Sequence, residues 1–334
     1  MVHESEIQAT TMKAIIQDTY GSPDVLELRE IDKPAPGPDD VLVRVRAAGV
    51  DQGVWHIMAG MPYLVRLMGF GLRRPKNRVR GRDVAGHVAA VGANVTRFQP
   101  GDEVFGWCDG TFAEFACAAE SNFALKPANL TFEQAAVVPV SGITALLGVR
   151  DSGKVSPGQR VLIIGAAGGV GTFAVQIAKA FGAEVTGVCS TTKVDLVRSI
   201  GAEQVIDYTQ TDFAETGQRY DVIFDTAGNR PLSHLRRALT PEGTLVIVGA
   251  ETDGRWLGGF DRQIRASLVS PFVRQHLRSL MSTERHEHVV ALSELIEAGD
   301  VTPVVDRSYP LAETPEAIRY MRAGHARGKI AITV

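Results

Sequence analysis

Cysteine is scarce: Cys108, Cys117 and Cys189 are the only three in 334 residues, and they stand far apart. That excludes a disulfide framework and a Cys-x-x-Cys metal knuckle, and it suits a reducing cytoplasm. Long apolar runs are missing too, so no segment reads as spanning a bilayer. The opening stretch MVHESEIQATT lacks the apolar core of a secretory signal. It reads as a flexible extension over residues 1–11, ahead of a first strand at Met12–Gln17. Neither sign of charge predominates, the formal net charge being −3 with both signs interspersed. No basic face for nucleic acid and no polybasic membrane anchor follow from such a pattern. The length exceeds what one hydrophobic core ordinarily holds, so two domains are expected.

What is present begins with VLIIGAAGGVGTFAVQIAKAFGAEVTGV, Val161 to Val188. It reads as strand, glycine turn, helix and second strand without a break. Val161–Ile164 is the short apolar run of a strand buried on both faces of a parallel sheet. Gly168 then lets backbone approach a pyrophosphate, and Gly171 lets the helix lie against the strand. Val170, Ala174, Ile177, Ala178 and Phe181 share one helical face, which leaves the unpaired amides of the helix start pointing at the phosphates. Ala167, Gly168, Gly169 and Val170 are therefore cofactor-binding candidates. Aligned on its last two glycines, the turn is A-x-G-x-x-G, with Ala166 in first place.

The cofactor is chosen at the end of the second strand, Glu184–Val188, where an NAD site places an acidic residue on the ribose hydroxyls. None stands there. Cys189, Ser190, Thr191, Thr192 and Lys193 follow instead, and Ser190 with Lys193 suits a 2′-phosphate, so NADPH is favoured. A second reading makes Ser190 or Thr191 a cap for a helix running to about Ile200, and both roles are compatible.

Closely spaced strand signals at Lys13–Gln17, Leu26–Ile31, Val41–Ala48, Val84–Val91, Glu103–Trp107 and Phe112–Ala118 suggest a partly open β-barrel. From about Gly142 to Leu280 strands alternate with helices, which implies a doubly wound parallel sheet. Beyond it, His288–Ala298 and Pro315–Ala323 read as helices and Lys329–Thr333 as a strand.

These pieces, together with GRDVAGHVAAVG from Gly81, VTRFQPGDEVFG from Val95, SGITA from Ser141, VRSIGAEQVIDY from Val197 and GKIAITV from Gly328, give the chain its likeness. It resembles the medium-chain dehydrogenase/reductase superfamily, in its zinc-independent quinone reductase-like branch. The resemblance implies an α/β protein: a GroES-like catalytic barrel over 12–141 and 281–334, and a Rossmann domain over 142–280. It further implies that Thr144 meets the nicotinamide side, that Tyr208 lies near the adenosine phosphate, and that Lys329 approaches the cofactor. Gly249 and Ala250 are expected at the carboxyl edge of the sheet, where ligands bind in open α/β folds. Family members are often dimers joined through the Rossmann edge, so a homodimer is expected, with Phe272–Met281 supplying the edge strand.

Zinc relatives carry a cysteine at the place of Asp51 and His-Glu at the place of Arg82 and Asp83. A catalytic zinc needs about three protein ligands, and Arg82 opposes a dication, so no metal site is expected. Without a Lewis acid the accessible chemistry is hydride addition to a quinone, enone or alkenal, with donors meeting the carbonyl oxygen. The resemblance makes Tyr63 the candidate donor, at the place of the family's tyrosine, and His56 a candidate proton relay, near a position that relays protons in zinc relatives. Asp51 departs from the family's asparagine, and an ionised carboxylate there repels an oxyanion. Met58–Gly81 is either a lid over the cleft or a surface excursion. A cofactor binder without turnover and an alcohol dehydrogenase on the same scaffold stand as the alternative functions.

Overall fold

The alternating strand β3, Asp40–Val50, organises the first of two units into which the chain divides. Val41, Val43 and Val45 are buried with Val84, Val88, Val104 and Phe123 on one face. Leu42 is buried with Met12, Ile16 and Phe115 on the other, so both faces of the strand are covered and its sequence is apolar nearly throughout. The computed structural model describes residues 10–249 and 254–334.

The first unit comprises the described chain up to Val140, together with Glu284–Ser293 and Val305–Val334. Its strands are β1 (Thr11–Gln17), β2 (Leu26–Asp32), β3, β4 (Asp83–Val91), β5 (Glu103–Trp107), β6 (Phe115–Ala119), β7 (Phe123–Leu125), β14 (Val305–Pro310) and β15 (Lys329–Thr333). The main sheet runs β14-β15-β3-β4-β5-β7, with β6 also on β3 and a separate β1-β2 hairpin. Two register shifts between β3 and β4, at Leu42/Val43 and Val45/Ala47, are bulges that bend the sheet toward a barrel.

The second unit comprises Ser141–Thr283 and Glu294–Val304. Here β8 (Arg160–Ile164), β9 (Glu184–Cys189), β10 (Gln204–Asp207), β11 (Tyr220–Asp225), β12 (Leu239–Ile247) and β13 (His276–Ser279) form one parallel sheet in the order β10-β9-β8-β11-β12-β13. The order reverses between β8 and β11, and that is the switch point where open sheets bind ligands. Leu162, Ile164, Val188, Ile223 and Leu245 bury one face of this sheet against Leu235 and Ala266.

Several expectations need correction. Residues 294–304 group with the parallel-sheet unit, not the barrel, and the Gln176 amide bonds Thr302 twice within that unit: its Nε2 donates to the Thr302 carbonyl at 3.0 Å and its Oε1 accepts from the Thr302 amide at 2.8 Å. β6 begins at Phe115 rather than Phe112, since the Phe112 amide and carbonyl are committed to Arg80 and Ile15 instead of a ladder. β12 starts at Leu239, before the expected Thr244, and β7 and β14 had no strand signal. The expected helix to Ile200 is a 3₁₀ turn, Thr191–Lys193, followed by a helix over Val194–Ser199. Thr11, assigned to the flexible extension, opens β1 opposite Asp32. Of that extension, residues 1–9 lie outside the described residues, as does Ala250.

Candidate active site

β8 ends at Ile164, and Gly165 takes the left-handed φ of 81° that turns the chain. A Cβ there would lie 2.4 Å from Thr226 Oγ1, whose hydroxyl donates to the Ile164 carbonyl at 2.8 Å across the switch point. The tight-turn role therefore belongs to Gly165, one residue before the alanine that sequence alignment puts in first place. Gly168 N-caps the helix Gly169–Ala180 with φ −85° and no side-chain cap. A Cβ on Gly171 would sit 2.1 Å from the Gly165 carbonyl oxygen, so the helix start is pressed against the turn. The amides of Gly169, Val170 and Gly171 have no acceptor within their own helix. Ala167 is buried beneath them, and Gly168 and Gly169 add no side chain above. This amide cradle at a helix N-terminus fits a pyrophosphate.

At the next strand end, β9 and β10 pair in register with Cys189 opposite Asp207. Ser190 starts the 3₁₀ turn without a side-chain cap bond, Lys193 closes it, and Tyr208, half exposed, donates its amide to the Cys189 carbonyl at 3.1 Å. Ser190, Lys193 and Tyr208 thus gather at one edge. So does Asp207, which the sequence reading passed over. It accepts from Thr191 Oγ1 at 2.5 Å, from Thr209 Oγ1 at 2.7 Å and from Gln210 Nε2 at 3.1 Å. These hydrogen bonds, Thr191 first, hold its carboxyl below the usual carboxylate range. The final letters of VIDY were the available signal, but only strand order shows that this carboxylate borders β9.

Two further residues of this unit are positioned by hydrogen bonds. Thr144 is buried in the helix Pro139–Leu146 and donates to Ser282 Oγ at 3.1 Å. Gly249 follows β12, its amide donating to the Asp225 carbonyl at 3.1 Å, and a Cβ there would lie 2.2 Å from the Thr226 carbonyl oxygen.

In the first unit, Asp51 N-caps the helix Gln52–Ala59, accepting from the Val54 amide at 2.9 Å through Oδ1. Its Oδ2 is buried and has no partner among the described residues. His56 lies on that helix and is held by Nδ1, 2.8 Å from the Met61 carbonyl, a contact that puts the proton on Nδ1. Tyr63 opens the next helical turn, its ring 4.8 Å from the Arg66 guanidinium. Asp83, at the start of β4, is fully buried and receives the Val140 amide at 2.8 Å. Lys329 Nζ, also buried, lies 3.4 Å from Asp83 Oδ2. Lys329 is thus engaged with Asp83 within the first unit. Burial pushes the Asp83 carboxyl upward against the pull of Lys329, and neighbouring Asp51 adds to the rise. Arg82 pairs with Glu284 at 3.4 Å. Among the described residues no group of three His, Cys, Asp or Glu side chains is placed to hold a metal ion.

The chain matches the family models described as Alcohol dehydrogenase GroES-like domain over residues 37–146 and Zinc-binding dehydrogenase over residues 200–332. It is 32% identical over 364 residues to the mitochondrial NAD(P)H oxidoreductase RTN4IP1 of Mus musculus, an alignment covering 100% of this chain and 92% of that protein. The chain belongs to the medium-chain dehydrogenase/reductase superfamily, in its quinone-oxidoreductase-like branch. It is also 32% identical to the 2-methylene-furan-3-one reductase of Solanum lycopersicum, over 96% of this chain and 79% of that one. The quinone oxidoreductase structure from Coxiella burnetii superposes with a TM-score of 0.82 at 27% identity, covering 97% and 99% of the two chains.

As a member of this superfamily the protein is an oxidoreductase that uses a nicotinamide cofactor. Within the superfamily's frame, the chain puts a lysine–aspartate pair, Lys329 and Asp83, at the heart of its barrel unit. The segment after Tyr63 stays helical to Met68 and breaks at Gly69, whose φ is 101°, and its Leu67 and Met68 are exposed.

Proposed function

We propose that this enzyme is a zinc-independent, NADPH-preferring reductase of activated carbon–carbon double bonds in quinones, enones or alkenals. The observation that carries the reading is the pairing of Asp83 with Lys329. It places an ammonium group against the carboxylate at one former ligand position, while the other two are the helix cap Asp51 and the Glu284-bound Arg82. Such a donor set does not fit zinc.

Bound at the glycine turn, the reduced nicotinamide supplies a hydride. The chain's own residues do the rest. The amides of Gly169 and Val170 hold the pyrophosphate, and Ser190, Lys193 and Tyr208 are the groups for the 2′-phosphate. Asp207 is already saturated with hydroxyl and amide donors, so its charge is turned onto Thr191, Thr209 and Gln210. The Tyr63 phenol donates to the carbonyl oxygen as negative charge develops on it. His56, oriented by Met61, takes up a proton from solvent on Nε2 and passes it to the enolate. Asp51 acts as a positioning residue, capping the helix that carries His56.

The test follows NADPH and NADH consumption with a panel of quinones, enones, alkenals, aldehydes and alcohols in metal-free buffer. Turnover of an activated alkene with NADPH preferred is expected, and Tyr63→Phe should lower kcat by about 100-fold with cofactor affinity unchanged. Turnover confined to alcohols, or restored only by zinc, overturns the proposal. Cofactor binding without any turnover points to a non-catalytic binder.

The same reading makes the protein a cytoplasmic homodimer joined through β13. This strand ends the sheet, and Leu268 and Phe272 beside it are 67% and 87% exposed, unusual for large apolar side chains. Light scattering should show a dimer at micromolar concentration and a monomer for Phe272→Asp. A wild-type monomer would sink the idea.

A further inference from the structure

Arg80 has no explanation in the chemistry above. It precedes β4 and its backbone is pinned on both sides, its amide donating to the Ile15 carbonyl at 3.4 Å and its carbonyl accepting from the Phe112 amide at 2.9 Å. The side chain cannot swing far from this anchor, and the residue is only 5% exposed. Its Nε has no hydrogen-bond partner, and no ion pair or hydrogen bond reaches its guanidinium among the described residues.

Buried arginines are nearly always paired, because a charge taken out of water without a partner is costly. Burial lowers the Arg80 pKa from its ordinary value, and the two groups that oppose the shift, Asp109 and Tyr20, do so only through space. Asp109 is exposed, and the Tyr20 hydroxyl is engaged with the carbonyls of Phe70 and Gly71 at 2.9 and 2.6 Å.

Arg80 lines a cavity of about 760 Å³ that lies wholly within the first unit. That volume is in the range of small-molecule sites, roughly 300–1,000 Å³. The other arginines on its wall have carboxylate partners, Arg78 in Asp18 at 2.5 Å and Arg82 in Glu284 at 3.4 Å, although the Arg82 Nε is itself buried without a hydrogen bond among the described residues. Lys76, Asp32 and Asp109 are exposed and hydrated. Much of the remaining wall is apolar: Ile16, Val54, Ile57, Met68 and Phe70. An arginine with no ion pair and a partnerless Nε, set beside apolar walls, calls for a ligand with one anionic head and an apolar body.

We propose that this cavity binds an amphiphilic monocarboxylate, its carboxylate on the Arg80 guanidinium and its hydrocarbon against Ile57, Met68 and Phe70. The test of this site is binding alone, so it needs no turnover and does not depend on the reductase reading.

The experiment uses the full chain and calorimetric titration with octanoate, with octan-1-ol and with inorganic phosphate at matched ionic strength. Octanoate should bind once per chain and at least tenfold more tightly than either control. Arg80→Met should lose that preference and, with the unpaired charge gone, melt at a higher temperature without ligand; Arg80→Lys should keep part of the binding. Met68→Trp changes an exposed wall residue, and its indole emission should shift on octanoate addition but not on phosphate addition. Equal affinity for octanoate and octan-1-ol, phosphate binding as tightly as octanoate, or undiminished octanoate binding by Arg80→Met would each overturn the proposal. So would a Met68→Trp emission that octanoate leaves unmoved.

Discussion

Replacing Asp225 with alanine is expected to destabilise the parallel-sheet unit by about 3–5 kcal/mol, the usual cost of breaking a buried ion pair from one side. Asp225 ends β11 with its side chain fully buried, and Arg262 Nη2 donates to its Oδ2 from the helix Phe260–Val269. The other carboxylate oxygen accepts the Gly228 amide at 3.2 Å. Arg262 has no second partner to fall back on, since its Nε and Nη1 are buried and unbonded among the described residues. Removing the carboxylate therefore leaves a whole guanidinium uncompensated. Changing both partners together, Asp225→Leu with Arg262→Met, should recover most of the loss, because two apolar side chains leave no charge behind. Urea denaturation of the two single variants and the pair decides it. A loss below about 1 kcal/mol for Asp225→Ala, the scale of an exposed pair, would show that the contact is not a buried one in solution.

The second large effect separates folding from cofactor binding within a single turn. At Gly168 the φ of −85° suits any residue, and a new Cβ meets only the Gly165 carbonyl oxygen, at 3.3 Å. At Gly171 the same oxygen lies 2.1 Å away, with the carbonyl carbon at 2.8 Å, and backbone has to move. Gly168→Ala should accordingly keep its stability within about 1 kcal/mol while a methyl obstructs the amide cradle. NADPH affinity is expected to fall by tenfold or more, about 1.4 kcal/mol. Gly171→Ala should lose both stability and affinity. Fluorescence titration and thermal melts of the two variants give the comparison, and unchanged NADPH affinity in Gly168→Ala would refute the assignment of the turn.

Much of this was legible in the residues because one period dominated each segment. Val161–Ile164 and Glu184–Val188 could only be buried strands, and three glycines between them named the turn. Elements with mixed signals were not legible. β14, VDRSYP, is half polar and holds its place by parallel pairing with β15, a partner more than twenty residues on. The grouping of 294–304 with the parallel sheet depends on packing between distant segments, Gln176 and Thr302 among them, which no local pattern announces. In the site, Gly165 was missed because a glycine pattern can be slid by one residue, whereas a left-handed φ cannot. Asp207 and the Lys329–Asp83 pair were missed for a different reason. Each depends on strand order, Asp207 on β10 lying beside β9 and Asp83 and Lys329 on the two strands that flank β3, and side chains 246 residues apart carry no local sign of their meeting.

The antiparallel pairing of β15 with β3, Ile330 opposite Val50 and Ile332 opposite Ala48, also sets the order of events during synthesis. β3 leaves the ribosome early with β4 close behind, but the partner for its second half arrives nearly three hundred residues later. Until then Ala47–Val50 presents unpaired amides and carbonyls beside apolar side chains, the kind of open edge that recruits the wrong strand. The nascent protein is therefore most vulnerable to aggregation while the whole parallel sheet is being made, and the barrel is sealed only after the nucleotide-binding unit has emerged.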